Sequence, residues 1–179
     1  MNYQNLTSLE LLQTEKISSM AEKAFLADEV FSLLEDAYEH VKGGLHFASV
    51  DELLAKSSVW KVIYFDASIV GVVIYKAKRG LKMVALAVAN NLDRSLNFHT
   101  KTMLSYLFKI TFNNTWMEVS EGAERFIVKN GGERYFVSNA LASKLTGKEI
   151  LGLCDDGYHY KREINGIIKT KVIVGNPKF

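Results

Sequence analysis

The sequence predicts an α/β fold, of the α+β kind, built as a mixed and mostly antiparallel sheet flanked by helices. Segments rich in aromatic and β-branched residues follow one another with only short polar turns between them, which is typical of an antiparallel meander. Apolar residues at helical spacing come before and after that meander. With 179 residues and no Pro-, Gly- or Ser-rich linker, the chain predicts a single domain spanning residues 1–179.

Composition narrows the class of protein. Hydrophobic residues make up 48% of the chain, which excludes a disordered protein, and a formal net charge of +2 gives no general attraction to nucleic acid or anionic membranes. Cys154 is the only cysteine, so the sequence predicts no internal disulfide and a reducing, cytoplasmic location. It contains neither a signal peptide nor an apolar run of about 20 residues, so we expect no membrane partner.

The amino-terminal part of the chain is predicted to be helical. Thr7–Glu10 has the spacing of a capping box and predicts a first helix with apolar positions Leu9, Leu12, Met20 and Ala24. An apolar stripe before Gly43–Gly44 predicts a second helix through Val30, Leu34, Ala37, Tyr38 and Val41. Ser49–Glu52 is another capping box and predicts a short helix that ends near Lys56.

The later elements are predicted from changes of period and from turn residues. Three strands come first, at residues 60–65, 69–75 and 82–89. We then expect, in order, a helix over 98–112, a strand over 115–119, a helix from Ser120 to 130–132, a strand over 133–137 and a helix over 138–145. A hairpin with strands 158–164 and 167–174 closes the chain, because Asn165–Gly166 tolerates the positive φ angles of a type I′ turn.

This order of elements resembles the GNAT superfamily of acyl-CoA-dependent N-acyltransferases, from about Ala37 to Tyr160. Val62–Val73 is similar to the family's hairpin that ends in Ile-Val-Gly, and Met83–Val88 is similar to its central strand. Ala123–Gly132 resembles its late helix. The resemblance implies transfer of an acetyl or other acyl group from acyl-coenzyme A to an amine acceptor by direct attack, without a covalent enzyme intermediate.

The resemblance also implies where acetyl-CoA or another acyl-CoA would bind. Contacts would come from the central strand, at Leu86, Ala87 and Val88, and from the loop formed by Arg94, Ser95, Leu96, Asn97, Phe98 and His99. Backbone N–H groups at a helix amino terminus are good ligands for a pyrophosphate. Arg94 matches the family's loop pattern, whereas Asn97 and His99 stand where the family has glycine.

Candidate catalytic residues are Glu118, Tyr160 and His159. Many family members have a tyrosine acid in the late helix and a glutamate base in the central strand, but this chain has Ile127 at the first position and no acid over 82–89. Glu118 lies on the strand beside the expected cleft and could accept a proton if it points inward, the alternative being an outward glutamate. A tyrosine of the carboxy-terminal hairpin is the candidate acid. Strand alternation puts Tyr160 and Arg162 on one face and His159 on the other, and a half-solvated hairpin with cross-strand charge pairs is the alternative.

Other functions stay open. A catalytically silent GNAT-like domain that binds a protein or nucleic acid is the main alternative, and Lys76, Lys78, Arg79 and Lys82 give weak support for nucleic acid. The acceptor would be a small-molecule or protein amine. No metal is expected, since Cys154, Asp155, Asp156 and His159 are better explained by a solvated turn. Ile168–Val172 is predicted to be an edge strand, through which the hairpin could form a homodimer.

Overall fold

The computed structural model describes residues 12–39, 47–89 and 100–178. Contacts divide these into two compact units, which we describe separately. Unit 1 contains the described residues of Met1–Ala77 and Met83–Thr111, and unit 2 contains those of Lys78–Lys82 and Phe112–Phe179.

The described residues form five helices and eight strands. The helices are α1 (Met20–Tyr38), α2 (Val50–Lys56), α3 (Thr100–Thr111), α4 (Glu121–Lys129) and α5 (Asn139–Thr146). The strands are β1 (Gln13–Ile17), β2 (Val59–Phe65), β3 (Ser68–Ala77), β4 (Leu81–Val88), β5 (Thr115–Ser120), β6 (Gly152–Leu153), β7 (His159–Ile164) and β8 (Ile167–Gly175).

Unit 1 packs helices against strands paired in the order β1-β2-β3-β4. Strand β2 is antiparallel to both β1 and β3. Strands β3 and β4 are joined by residues 78–80, and the predicted three-strand meander is therefore confirmed. The core of this unit includes Leu34, Leu53, Trp60, Val72 and Ala87.

The start of unit 1 differs from the sequence prediction. Residues 13–17, predicted to lie within the first helix, form a strand, and one continuous helix contains both Met20 and Val30. Only Ile17 is buried in β1, so this strand gives no alternating apolar pattern. Helix α1 begins where Ser19 accepts a hydrogen bond from Glu22 N–H at 3.2 Å. The capping box at Thr7–Glu10 lies outside the described residues, as do Val41 and Gly43–Gly44.

The predicted short helix after Ser49 is confirmed. Ser49 Oγ accepts a hydrogen bond from Glu52 N–H at 3.1 Å, while the Glu52 carboxylate accepts one from Ala48 N–H at 3.0 Å. The ammonium of buried Lys23 binds the two carbonyl oxygens that follow this helix, Ser57 O at 3.4 Å and Ser58 O at 3.0 Å. These bonds join α1 to the segment that leads into β2.

Unit 2 contains the start of β4 followed by strands in the order β5-β8-β7-β6. The β4–β5 pair is parallel, and its ladder consists of two residue pairs, Leu81 with Thr115 and Lys82 with Trp116. The other pairs in this unit are antiparallel. One face of these strands packs with α5 around Trp116, Tyr160 and Ile173.

In unit 2 one sequence prediction is wrong and a second is only partly right. Residues 133–137 form one isolated bridge, Arg134 with Val174, because their remaining backbone bonds go to other segments; Val137 N–H, for example, binds Gly157 O. Strand β8 is not simply an edge strand, since Lys171 and Val172 pair with both β5 and β7. Residues 168–170 pair with β7 alone. Short strand β6 was not predicted.

The carboxy-terminal hairpin is confirmed. Its strands are joined by Asn165 and Gly166, with φ angles of 50° and 78°, as a type I′ turn requires. The helix predicted over 138–145 is also confirmed as α5, which is followed by Gly147, whose φ angle is 70° and whose N–H donates to Ser143 O. None of the described helices is long and apolar enough to cross a membrane.

Candidate functional site

Glu118 on β5 is the centre of a buried polar cluster in unit 2. Its side chain is 5% exposed. Oε1 accepts a hydrogen bond from Arg162 Nη2 at 2.6 Å, and Oε2 accepts one from Arg162 Nε at 2.9 Å and one from the Tyr160 hydroxyl at 2.5 Å. Arg162 therefore holds both carboxylate oxygens, and Tyr160 fixes the carboxylate from a second position on β7.

The cluster lowers the pKa of Glu118 and raises the pKa of Tyr160. Burial raises the pKa of Glu118, but the hydrogen bonds from Arg162 and Tyr160 outweigh this, so the pKa lies below its usual value. Burial and the neighbouring Glu118 charge raise the pKa of Tyr160 far above its usual range. At neutral pH the pair is a carboxylate and a protonated phenol, and the Tyr160 hydroxyl donates its hydrogen bond to Glu118.

Lysine side chains share this face of the unit 2 strands. In the strand register Lys171 of β8 lies between Ser120 and Tyr160, and Lys169 lies beside Arg162. Lys82 lies with its ammonium 5.0 Å from the centre of the Trp116 ring and contributes to the lowered pKa of Glu118. Because Arg162 already neutralises Glu118, these lysines leave the face with an excess of positive charge.

His159 lies on the opposite face of β7 and belongs to a second cluster. Its Nε2 is 2.7 Å from Oε2 of Glu124 on α4, and its Nδ1 is hydrogen-bonded to the carboxylate of Asp156. Arg134 also binds Glu124, with Nε 2.5 Å from Oε1. Both ring nitrogens are therefore engaged by carboxylates. Tyr160 and His159, both predicted to be catalytic, are not brought together.

Electrostatics favour a charged imidazole at this second cluster. Burial lowers the pKa of His159, but the hydrogen bonds to Glu124 and Asp156 outweigh it and raise the pKa. Backbone N–H groups of His159 and Tyr158 are the main cause that lowers the pKa of Asp156 to about 2. The protonated form of His159 donates to both acids, which suits a structural clamp between β7, α4 and the Asp156 turn.

The predicted donor strand β4 presents an unusual contact in unit 1. Ala89 donates its N–H to Val70 O on β3 at 2.9 Å, so alternation turns the N–H and C=O of Leu86 away from β3. Both groups are bound by the hydroxyl of Tyr38, which donates to Leu86 O at 3.2 Å and accepts from Leu86 N–H at 3.3 Å. The Tyr38 hydroxyl thus makes the two hydrogen bonds with Leu86 that a neighbouring strand would otherwise make.

Other predicted site residues are placed as follows. Ala87 and Val88 are buried in unit 1. The loop predictions Arg94, Ser95, Leu96, Asn97, Phe98 and His99 lie outside the described residues. Ile127, at the position of the family's tyrosine, is buried in α4. Within the described ranges, no group of three or more His, Cys, Asp or Glu side chains is arranged to hold a metal ion.

Several residues of these arrangements were not assigned a site role from the sequence, among them Arg162, Lys171 and Tyr38. Arg162 was placed on the correct face by alternation, but its ion pair joins residues that are 44 positions apart. Lys171 was assigned to an edge strand and Tyr38 to an apolar helix stripe. No sequence signal separated Lys171 from Lys169 and Thr170 of the same strand.

Comparison with solved structures identifies the fold. An N-acetyltransferase from Staphylococcus aureus Mu50 superposes with a TM-score of 0.51 at 10% sequence identity, over 91% of this chain and 95% of that one. An N-acyl amino acid synthase from uncultured soil microbes superposes with a TM-score of 0.53 at 10% identity, over 91% of this chain and 89% of that one. No protein-family profile and no curated protein matches the sequence.

These similarities confirm the predicted fold. The mixed, mostly antiparallel arrangement of eight described strands with flanking helices is the GNAT fold, and the resemblance to GNAT N-acyltransferases stated from the sequence is confirmed at that level.

Proposed function

We propose that the protein is an N-acyltransferase that moves an acetyl or other acyl group from acyl-coenzyme A to an amine. The GNAT fold supports acyl transfer in general. The observation that carries the proposal is the peptide group of Leu86, which faces away from β3 and is bound by a side chain instead of a strand. The pantetheine arm of coenzyme A contains two amides, which can pair with such a strand as an added strand does.

The reaction asks for positioning and for removal of one proton. The amine nitrogen attacks the thioester carbon and forms a C–N bond. The C–S bond then breaks, so that the acyl group stays on the nitrogen and coenzyme A leaves as a thiolate. The attacking amine must first lose the proton of its ammonium form. We propose that the ammonium of the acceptor binds to Glu118. A carboxylate has about four lone-pair positions, and the three donor groups of Arg162 and Tyr160 leave one of them for a substrate.

Glu118 would act mainly by accepting a hydrogen bond from the acceptor ammonium in this proposal. Its lowered pKa makes it a weak proton acceptor, so it is better suited to binding an ammonium than to storing the proton. Arg162 and Tyr160 are then positioning residues that fix the carboxylate. The rate should rise with pH toward the pKa of the acceptor amine. His159 is assigned a structural role because both of its nitrogens bind carboxylates.

The experiment is a titration with acetyl-CoA and longer acyl-CoAs, followed by a screen for amine-dependent release of coenzyme A thiol. We expect saturable micromolar binding and release with at least one class of small-molecule or protein amine. Glu118→Gln should reduce kcat/KM by about 100-fold, whereas Glu163→Gln, an exposed strand acid, should leave it unchanged. Absence of binding at millimolar acyl-CoA would refute the proposal.

A catalytically silent binding domain is the second candidate. Two groups that catalysis would need are already hydrogen-bonded within the protein, which favours this candidate. Tyr38 binds the Leu86 peptide, and Arg162 and Tyr160 bind the Glu118 carboxylate. Ile167 and Ile168 are 57% and 63% exposed next to the part of β8 that pairs with β7 alone, which suits contact with a protein or a second copy. Concentration-dependent sedimentation of the wild type and of Ile168→Asn tests this candidate.

A further inference from the structure

Three segments of unit 2 meet at one positively charged surface: the β3–β4 turn, the carboxyl end of α5 and the last described residues. Lys78 Nζ donates a hydrogen bond to Thr146 O at 2.6 Å, which joins segments 68 positions apart. Lys178 donates its N–H to Arg79 O at 2.7 Å. Its side chain packs over the turn, since a Cβ atom placed at Gly80 would lie 3.3 Å from Lys178 Cγ.

These segments contain one half-buried and four exposed cations, which we call the basic surface: Lys78, and the exposed Arg79, Lys144, Lys148 and Lys178. Glu149 is the acid that adjoins them in the sequence. The carboxyl end of a helix carries about half a negative charge, and the Lys78 ammonium already binds there, at Thr146 O. The four exposed cations therefore exceed what stabilisation of α5 requires.

The charge of this surface is not an even share of the whole chain. Lys and Arg outnumber Asp and Glu in unit 2. Several acids of the unit are bound by other residues, Glu118 by Arg162 and both Glu124 and Asp156 by His159. The unit therefore has a local excess of positive charge that the net charge of the chain does not reveal.

Backbone and side-chain hydrogen bonds hold the basic surface in place. Trp116 Nε1 donates to Lys78 O at 2.7 Å, and Lys78 N–H donates to Gly80 O at 2.9 Å. At the end of α5, Lys148 N–H donates to Thr146 Oγ1 at 3.2 Å. The backbone that carries these cations is thus ordered before any ligand arrives, which reduces the entropy lost on binding.

The composition of the surface indicates which polyanion it fits. Membrane-binding surfaces combine cations with apolar side chains that enter the bilayer, but the exposed large apolar side chains among the described residues belong to other segments. Stacking of nucleobases needs exposed aromatic rings, and neither 78–80 nor 144–148 contains one. The remaining fit is a chain of phosphates, which duplex nucleic acid offers at about one charge per 1.7 Å.

We propose that the basic surface binds the phosphate backbone of a nucleic acid without reading its base sequence. The Arg79 guanidinium can bind two oxygens of one phosphate, and the three exposed lysines act as point charges. Four contacts of this kind predict a dissociation constant of about 10⁻⁴–10⁻⁶ M at physiological salt. The proposal does not rest on the acyltransferase function, because none of its residues belongs to the candidate site.

Fluorescence anisotropy of labelled duplex DNA and RNA of about 20 base pairs tests the proposal with the full chain. The logarithm of the association constant should fall with the logarithm of the salt concentration at a slope between about −3 and −4. Between about 50 and 200 mM salt, binding should therefore weaken roughly a hundredfold. Two duplexes of unrelated sequence should bind equally.

Paired substitutions assign the binding to this surface. Lys148→Gln combined with Lys178→Gln should reduce the magnitude of the slope by about 2, whereas arginine at both positions should retain it. Lys129→Gln combined with Lys161→Gln is the matched control, since it removes the same charge from two exposed positions of unit 2. The control should leave the slope unchanged.

NMR locates the contact. Nucleic acid should shift the amide signals of Gly80 and Gly147, which lie within the surface, and leave those of Gly122 and Gly166 in place. An unchanged slope in the Lys148 and Lys178 variant, or an equal change in the control, would overturn the proposal. So would the absence of an anisotropy change with about 100 μM protein at the lowest salt.

Two other polyanions complete the test. Polyglutamate carries carboxylates and releases fewer condensed counterions than a duplex, so it should bind more weakly. Vesicles that contain phosphatidylserine should also bind more weakly, because the surface offers no apolar side chain to the bilayer. Equal or tighter binding of polyglutamate would indicate an acidic protein as the partner, and equal or tighter binding of the vesicles would indicate a membrane. Either result would overturn the proposal.

Discussion

Tyr38 and Leu86 exchange two hydrogen bonds, in which the phenol donates to the Leu86 carbonyl at 3.2 Å and accepts from its N–H at 3.3 Å. Burial raises the pKa of Tyr38, and the bond to the Leu86 backbone reduces that effect. The phenol therefore keeps its proton and satisfies both groups of a peptide that β3 does not use. Any ligand that pairs with Leu86 must first displace this hydroxyl.

Tyr38→Phe should increase the affinity for acyl-CoA. Removing the hydroxyl leaves the Leu86 peptide unpaired in the free protein, so a donor amide no longer competes for it. Each of the two lost hydrogen bonds contributes about 1 kcal/mol. We therefore expect calorimetry to show roughly five- to thirtyfold tighter binding of acyl-CoA. Tyr64→Phe on β2 is the control. An unchanged dissociation constant in the Tyr38 variant would mean that the donor does not use Leu86.

Glu118→Gln should destabilise the fold. The amide can still accept a hydrogen bond, but Arg162, whose side chain is 14% exposed, loses its compensating charge. Breaking one side of such a buried pair costs about 3 kcal/mol in the free energy of unfolding, measured by urea denaturation at pH 7. Because the folded pKa of Glu118 lies below 4.5, its contribution is complete above pH 4.5 and is lost as the pH falls through the folded pKa.

Glu163→Gln provides the comparison for that measurement. It removes an exposed carboxylate from the same hairpin, and its effect should stay within about 0.5 kcal/mol. Similar losses for the two variants would contradict a specific role of the Glu118–Arg162 pair.

The His159 cluster should give the fold a measurable pH dependence. The pKa of His159 is raised above 6.5, so its contribution is complete below pH 6.5 and is lost as the pH rises through the folded value. The pKa values of Glu124 and Asp156 are lowered from 4.5 and 3.8, so their contributions are lost as the pH falls below those values. The cluster should therefore stabilise most between about pH 4.5 and 6.5.

Urea midpoints measured from pH 5 to 9 for wild type and His159→Gln test this expectation. The difference between them should shrink as the pH rises through the folded pKa of His159. Asp155→Asn, in the same turn, should run parallel to wild type. A constant difference across the range would show that His159 is not charged in the clamp.

Gly132→Ala should destabilise unit 2 through overpacking. A Cβ atom at Gly132 would lie 2.6 Å from Ile127 Cγ2 and 2.8 Å from Val174 Cγ1, both in the buried contact between α4 and β8. We expect a loss of about 2 kcal/mol in the free energy of unfolding. Gly122→Ala has nothing within 4 Å and lies inside α4, so it should stabilise by up to about 1 kcal/mol. Equal thermal midpoints for the two variants would rule out this contact.

Most of the fold could be predicted because most elements bury an apolar face or contain turn residues. Strand β1 escaped prediction since it has one buried residue, Ile17, and an edge strand needs no more. Residues 133–137 were predicted to be a strand because of their composition. Composition cannot reveal that Tyr135 N–H binds Ile173 O while Val137 N–H binds Gly157 O, which divides the segment between two partners.

The sequence could indicate individual polar residues of the sites but not which residues they bind. Glu118, Tyr160 and His159 were chosen as unusual polar residues and their catalytic roles stay predictions, because pairing is a long-range property that a single sequence does not contain. Glu118 and Arg162 meet because β8 lies between their strands. The cytoplasmic location, the single domain and the acceptor-side roles stay predictions.

The Asn165–Gly166 turn has a consequence for evolution of this hairpin. Because side chains alternate along β7, the two-residue loop decides which set of residues shares a face with Glu118. Insertion or loss of one residue there would rotate the strand by half a period and present His159 and Lys161 in place of Tyr160 and Arg162. A single codon in this loop could thus exchange the residues that β7 contributes to the polar face without altering any residue of the strand.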